Sequence, residues 1–451
     1  MRLLSAVIFL MSVAIFANDK PNVIFILTDD LGYGDLGCFG QEKIKTPNLD
    51  KMASEGTKFT RHYSGSTVCA PSRCVLLTGK HTGNAWIRGN GELKPNGQRP
   101  LRAEEVTIAE QFKKAGYATS VIGKWGLGWL DSEGHPLNQG FDHFFGYLCQ
   151  RRAHTYYPEY VWRNTEKVEL KGNDGKSGPL YTHDLCTDEA FSFIRKNKAN
   201  PFFLYLAYAI PHTKFQVPDQ GQYKDKPWAE NHRIQAAMIS RMDRDCGRLF
   251  ELLKELNIDE KTLVIFTSDN GAHGIGGTLE QFKASGDLRG KKRDLYEGGV
   301  RVPMIARWPG KIEAGRVNDT ISAFWDWMPT FNELIGVETP DEVDGHSILL
   351  VLLGEGNQEE HDYLYWEFYE KGGKQAVLKD EWKAIRLNVN KDRKAPLELY
   401  NLKNDPSEKN DLAKQYPEKV AEFAKLIDKT HTESDLFKFG LTKKKSRGKK
   451  K

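Results

Sequence analysis

The stretch NVIFILTDD, residues 22–30, decides the fold class. Val23 to Leu27 is apolar on both faces, β-rich and too short for a buried helix, so it reads as a strand covered on both sides, ending in two carboxylates. TLVIFTSDN, residues 262–270, repeats the pattern: an apolar run from Leu263 to Phe266, then Asp269 and Asn270. Further runs of this kind occupy Thr119 to Ile122, Phe202 to Tyr208 and Met304 to Trp308, and helical patterns cover Leu101 to Ala115, Asn231 to Leu256 and Trp325 to Ile335. Two-faced strands alternating with helices predict an α/β domain, a large mostly parallel sheet sandwiched by helices.

Outward from this core the texture changes. After about Gly336 the chain turns to short alternating segments such as HDYLYWEFYE and KAIRLNV, then an amphipathic helix near Pro417 to Ile427, which predicts a small antiparallel sheet with a terminal helix. The expected organisation is an export signal over 1–17, a catalytic α/β domain over 18–340, a small α+β subdomain over 341–440 and a basic tail over 441–451. Residues 134–178, rich in aromatic, His and Arg side chains with weak periodicity, read as a loop-rich insertion suited to wall a polar ligand.

A chain of 451 residues with 39% hydrophobic and 11% aromatic content can bury a large core, which excludes a disordered or fibrous protein. Seven of its 65 basic residues lie in the last nine positions; the remaining 58 face 61 acidic ones, so the body is mildly acidic and composition excludes a nucleic-acid binder. Arg2, the fourteen mostly apolar residues Leu3 to Phe16 and then Ala17 form a secretory pattern. The run is shorter than the roughly 20 residues that span a bilayer, and no later stretch is apolar enough to do so. A secreted or periplasmic protein with no membrane span is expected. The six cysteines are scattered, and Cys246 falls on the apolar stripe Met238, Met242, Leu249, Leu253, which marks it as structural.

In open α/β sheets ligands bind at the carboxyl ends of strands, so Asp29, Asp30, Asp269 and Asn270 are expected to face one crevice. Three carboxylates packed together are unfavourable without a cation, and an all-oxygen set suits calcium or magnesium rather than zinc.

CAPSRCVLLTG, residues 69–79, places Pro71 where a helix begins and Cys69 just before it, at an anion-attracting helix N-terminus with Arg73 close by. These residues describe an activated cysteine at an oxyanion-binding position. The stretch resembles the type I sulfatases of the alkaline phosphatase-like superfamily, whose Cys-x-Pro-Ser-Arg, three residues, Leu-Thr-Gly pattern is met by Cys69, Pro71, Ser72, Arg73, Leu77, Thr78 and Gly79. The likeness extends from PNVIFILTDD through GKWGLG, PFFLYLAYAIPH, TSDNGAH and YEGGVRVP to ELYNLKNDP.

The resemblance implies an alkaline phosphatase-like fold and a sulfuric ester hydrolase. It implies that a formylglycine-generating or sulfatase-maturating enzyme oxidises Cys69 to formylglycine. One hydroxyl of the hydrated aldehyde attacks the ester sulfur, and the second expels sulfate. Asp29, Asp30, Asp269 and Asn270, with residue 69, match the ligands of one calcium ion. Arg73 matches the residue that holds the hydrate, Lys124 and Lys292 the lysines on sulfate, and His212 the histidine near the leaving oxygen. A lone lysine is ordinarily a solvated charge and a lone histidine a satisfied structural residue, so these assignments draw on the Cys69 motif.

One position departs from the pattern. The family commonly has His at the fourth place of GKWGLG, where it relays a proton; this chain has Gly126. His154, in QRRAHTYYP, is expected to reach in from the insertion and supply an imidazole. Arg152, His154 and His183 are expected to bind substrate. Trp125, Trp129, Arg151, Tyr156, Tyr157 and Trp162 add flat faces and donors suited to a sulfated saccharide, of galactose or N-acetylgalactosamine type. The rival readings are a phosphodiesterase or phosphonate hydrolase of the same superfamily, which Asn270 disfavours because a two-zinc enzyme wants His there, and an inactive glycan-binding relative.

Overall fold

A computed structural model of the protein describes residues 20–94 and 97–440. The predicted export signal, 1–17, and the basic tail, 441–451, lie outside the described residues. The main sheet has eleven strands, ten of them in the order 316–318, 57–63, 301–307, 262–268, 22–28, 202–207, 118–124, 143–147, 160–163 and 166–169, with 322–323 also pairing to 57–63. The five central strands, from 262–268 to 143–147, run parallel. Arg301–Arg307 is antiparallel to Thr262–Ser268, and Tyr160–Arg163 is antiparallel to His143–Tyr147.

Alternation along the central strand divides the core into two layers. Val23, Phe25 and Leu27 pack on one face with Val75 and Leu76 of the helix Cys69–Thr78 and Trp327 and Phe331 of the helix Trp327–Ile335. Ile24 and Ile26 pack on the other with Phe191 and Ile194 of Thr182–Asn197 and Met238 and Met242 of Glu230–Glu255. Cys246 is buried in that second layer, as its stripe predicts.

The predicted strands all form. The helix expected over Leu101 to Ala115 is shorter, Ile108–Lys114, because Thr107 caps it: its side chain accepts from Glu110 N–H, and the Glu110 side chain accepts from Thr107 N–H. The stretch over 134–178 is not all loop. Its three strands, 143–147, 160–163 and 166–169, extend the main sheet.

A four-stranded antiparallel sheet, in the order Leu364–Phe368, Lys374–Lys379, Trp382–Leu387 and Leu397–Asn401, forms the C-terminal part. Tyr365, Val377 and Leu399 on one face meet Phe423 and Ile427 of the helix Pro417–Thr430. Trp366, Ala376 and Ile385 on the other join the main core. This sheet is therefore bound to the large one by a shared apolar layer.

Candidate active site

Parallel pairing of Thr28 with Ser268 brings the residues that follow together: Asp29 stands beside Asp269, and Asp269 N–H donates to Thr28 carbonyl at 3.0 Å. Gly123 pairs with Ala207, so Lys124 and the segment leading to His212 leave the sheet at the same end. Asp29 N–H donates to Ile210 carbonyl at 3.2 Å, tying that segment to the acidic turn. The antiparallel strand Arg301–Arg307 starts at this end, and Lys292 precedes it; Arg293 N–H donates to Thr67 carbonyl at 3.1 Å, next to the Cys69 helix.

Cys69 is the first residue of its helix and Pro71 the third, two positions further in than the sequence suggests. Proline is tolerated there because first-turn N–H groups have few intrahelical partners. Gly79 ends the helix in the left-handed conformation at φ 69°, its N–H donating to Val75 carbonyl, which accounts for the closing glycine of the motif.

The predicted residues converge. Cys69 Sγ lies 3.3 Å from Asp29 Oδ1 and 3.6 Å from Lys292 Nζ. Lys124 Nζ donates to Asp29 Oδ2 at 2.5 Å, and Lys292 Nζ to both Asp30 oxygens at 2.6 and 2.8 Å. Arg73 donates through Nε and a terminal nitrogen to Asp269 Oδ2 at 3.1 and 2.8 Å, and through its other terminal nitrogen to Lys124 carbonyl at 2.7 Å. Arg73 is fully buried, so it fastens the acidic cluster to the Lys124 strand. Asp30 takes the left-handed conformation at φ 67°, held by its N–H donating to Asp269 Oδ1 at 3.2 Å.

Three carboxylates thus face three cations. Burial pushes the Asp29 carboxyl up, but Lys124, with His212, Arg73 and Lys292, outweighs it and holds it well below the usual range. Burial likewise opposes Lys292, yet Asp30 holds its ammonium charged. Burial, reinforced by Asp29, pushes the Cys69 thiol up to about 12. An unmodified Cys69 in this setting keeps its proton and is a poor nucleophile.

Donor atoms of Asp29, Asp30, Cys69 and His212 lie within 4.8 Å of one another. Asn270 Nδ2 donates to Asp30 Oδ1 at 2.8 Å, while Asn270 Oδ1 is buried without a hydrogen-bond partner among the described residues. A buried, unsatisfied amide oxygen beside clustered carboxylates fits a hard, oxygen-seeking cation.

His212 Nε2 is 3.4 Å from Asp30 Oδ2, and His154 lies face to face against it, with centroids 4.1 Å apart and planes 14° from parallel. The insertion therefore does deliver an imidazole. It does not take the place of a side chain on residue 126, however: a Cβ on Gly126 would meet Gln150 Cγ and Nε2, both at 2.9 Å. Burial lowers His154 to about 3, which suits a neutral ring better than an efficient base at neutral pH.

The remaining predicted residues lie as follows. His183 is turned into the protein, with Nε2 3.0 Å from Asp245 Oδ2 and its ring on Tyr208. Arg152 lies over the Tyr160 ring at 4.0 Å and 3.7 Å from Glu159. Trp125 is buried and donates to Gly134 carbonyl, and the Tyr156 hydroxyl donates to the carbonyls of Ala209 and His212, so neither ring is a platform for sugar. Trp129 and Trp162 do line an apolar pocket of about 460 Å³, with Leu130 and Leu148. Sequence reasoning missed Gln150 altogether, since a glutamine in a weakly periodic stretch carries no signal.

Comparison with known proteins agrees with this geometry. The sulfatase family model matches residues 21–337, and the C-terminal model of N-sulphoglucosamine sulphohydrolase matches residues 290–433. The chain is 30% identical to the N-acetylgalactosamine-6-O-sulfatase of Bacteroides thetaiotaomicron over 92% of its own length and 94% of that protein's. It is 35% identical to the N-acetylgalactosamine-6-sulfatase of Canis lupus familiaris, covering 75% of this chain and 67% of that one. Among solved structures, Ps i-CgsB in complex with k-i-k-neocarrahexaose superposes with a TM-score of 0.82 at 29% identity, over 93% of this chain and 95% of that one. Phosphonate monoester hydrolase of Agrobacterium radiobacter, at 20% identity and a TM-score of 0.67 over 91% and 95%, shares the fold. With a family model spanning most of its length and an acidic, lysine-flanked Cys69 at the carboxyl ends of its strands, the chain belongs to the sulfatase family, the sulfuric ester hydrolases.

Proposed function

We propose that this sulfatase cleaves sulfate esters on a sulfated saccharide of galactose or N-acetylgalactosamine type, with formylglycine at residue 69 and one calcium ion. The observation that carries the proposal is Cys69, 3.3 Å from Asp29 and 3.6 Å from Lys292 in a pocket whose Asn270 oxygen has no partner among the described residues. Formylglycine at residue 69 would supply a hydroxyl nucleophile where a thiol with its pKa near 12 does not. Asp29, Asp30, Asp269 and Asn270 would hold the calcium ion, which would supply Lewis-acid polarisation of a sulfate oxygen.

The chain's own residues do the positioning. Lys124 and Lys292, each already paired with a carboxylate, supply ammonium donors to the sulfate oxygens. Because the three carboxylates are balanced by three cations, a bound divalent ion would leave the pocket net positive and suited to an anionic ester. Arg73 keeps Asp269 and the Lys124 strand in register. His212, which faces Asp30, stands near the leaving oxygen as a hydrogen-bonding group, and His154 holds its ring plane. Trp129 and Trp162 offer faces on which a sugar ring stacks.

The relatives' names support the saccharide class: two are N-acetylgalactosamine 6-sulfatases, and one structure holds a neocarrahexaose. Export through the segment 1–17 and encounter with a maturating enzyme belong to the same proposal, as do a catalytic domain over 18–340 and a subdomain over 341–440. The test is sulfate release from 6-sulfated galactose and N-acetylgalactosamine, measured against a phosphate monoester and diester. Turnover of the sulfated sugars that is lost in Cys69→Ala is expected. Preference for the phosphate esters overturns the proposal.

A further inference from the structure

Gly126 lies two residues beyond Lys124 with φ 81°. The volume that a side chain on residue 126 would need is occupied by Gln150, whose Cγ and Nε2 stand 2.9 Å from the ideal Cβ position. Gln150 is 6% exposed, and its Nε2 is buried with no hydrogen-bond partner among the described residues. Leaving an amide donor unpaired is destabilising, and methionine or leucine would fill the same space without that penalty.

Both flanks of Gln150 are anchored to the site. Before it, Trp125 N–H donates to Tyr147 carbonyl at 2.9 Å and Gly126 N–H to Leu148 carbonyl at 3.2 Å, binding this segment to the end of the Lys124 strand. After it, the single turn Arg152–His154 leads to the imidazole stacked on His212. Gln150 therefore sits against residue 126, two positions beyond the lysine that pairs with Asp29, on a segment that runs on to the histidine stacked against His212.

We propose that Gln150 is a substrate-binding residue whose side-chain NH₂ donates to the sulfate group of the ester from the Lys124 side, in the space that a side chain on residue 126 would otherwise take. The inference rests on the sulfatase reading above. An amide neither gains nor loses a proton near neutral pH, so Gln150 orients the anion and contributes equally across the pH range. Its unpaired donor is satisfied when sulfate arrives.

The experiment compares wild type, Gln150→Met and Gln150→Glu on an aryl sulfate and on a sulfated sugar, with inorganic sulfate as the inhibitor. Gln150→Met keeps the chain length and removes the donor. It is expected to lower kcat/KM about 10- to 100-fold on both substrates, the range for a hydrogen bond to a charged group. Inorganic sulfate is expected to inhibit it more weakly by a similar factor, with the pH profile unchanged in shape. Gln150→Glu sets a carboxylate against the anion and is expected to fall below Gln150→Met. Thermal midpoints of the ligand-free proteins separate this from unfolding, and the nearly isosteric Glu variant decides the matter where the Met variant does not fold. The inference is overturned if Gln150→Met stays within about threefold of wild type, if Gln150→Glu equals or exceeds it, or if the loss appears on the sugar alone. Variants that lose nothing beside an active wild type remove Gln150 only, whereas a wild type that releases no sulfate from any ester removes the sulfatase reading with it.

Discussion

The imidazoles of His154 and His212 stack at 4.1 Å, joining a residue of the insertion to one that faces the acidic cluster. Two rings in that arrangement do not both carry charge comfortably, and burial lowers them to about 3 and about 4. His212→Ala is expected to cost about 10²- to 10⁴-fold in kcat, the range for general acid–base groups. His154→Ala is expected to cost less, and His154→Phe, which keeps a flat ring against His212, to recover most of that loss. Steady-state kinetics with a sugar leaving group checks the order; a Phe variant no better than Ala would show that His154 does more than hold the ring.

Arg73 is expected to be structural as well as functional. Removing it in Arg73→Ala leaves Asp269 buried beside Asp29 with its cation gone, a change that typically costs about 3–5 kcal/mol. Arg73→Lys restores charge but not the fork that reaches Asp269 and Lys124 carbonyl together, so it is expected to recover only part. Denaturant midpoints of the three proteins measure this, and an unchanged Ala midpoint contradicts it.

Calcium is expected to stabilise the folded protein by about 2.7 kcal/mol at 100 times its dissociation constant. Chelation lowers the thermal midpoint and calcium restores it. Asn270→Ala, which removes the oxygen left without a partner among the described residues, shifts the restoring concentration upward. A midpoint indifferent to chelator and calcium argues against the site.

Asp35 sets a pH dependence away from the reacting groups. Burial raises its carboxyl from the ordinary 3.8 to about 7, with one oxygen accepting from Gly32 N–H and the other without a partner among the described residues. A raised acid contributes stability that is present below about pH 3.8 and is lost as pH rises through about 7. The slope is at most roughly 1.4 kcal/mol per pH unit. Asp35→Asn is expected to flatten the decline of the unfolding free energy between those limits, and equal slopes in both proteins would contradict the assignment.

Lys383 is fully buried between Glu297 at 2.8 Å and Glu408 at 3.2 Å, and so clamps the C-terminal sheet to the segment that follows Lys292. Lys383→Met leaves two carboxylates sharing that space and is expected to cost about 3–5 kcal/mol. Chemical denaturation followed by tryptophan fluorescence reads this directly.

Much of this architecture is legible in the chain because it depends on local patterns. NVIFILT and TLVIFTS read as two-faced strands, and the register that places Thr28 beside Ser268 then brings Asp29 and Asp269 together. Cys69, Arg73, Lys124, His212 and Lys292 were assigned by the resemblance, and the fold gathers them at one end of the sheet. What the chain hides is tertiary. His183 looks like any other polar residue of the insertion's neighbourhood until Asp245, contributed by a distant helix, pairs with it. Trp125 and Tyr156 have the faces of sugar platforms, but burial turns them to holding Gly134 and the His212 segment. Gly126 reads as a missing group, and only the placed chain reveals that Gln150 fills the gap. The helix start at Thr107 was available locally, in the Thr-x-x-Glu spacing before Ile108.

The most direct measurement is the mass of the peptide that carries residue 69, taken from protein produced in a host with a formylglycine-generating system and shown in the same preparation to release sulfate. The predicted peptide is lighter than the cysteine form by the difference between CH₂SH and CHO. A fully active preparation whose peptide retains the unmodified thiol would contradict the proposed chemistry at its root.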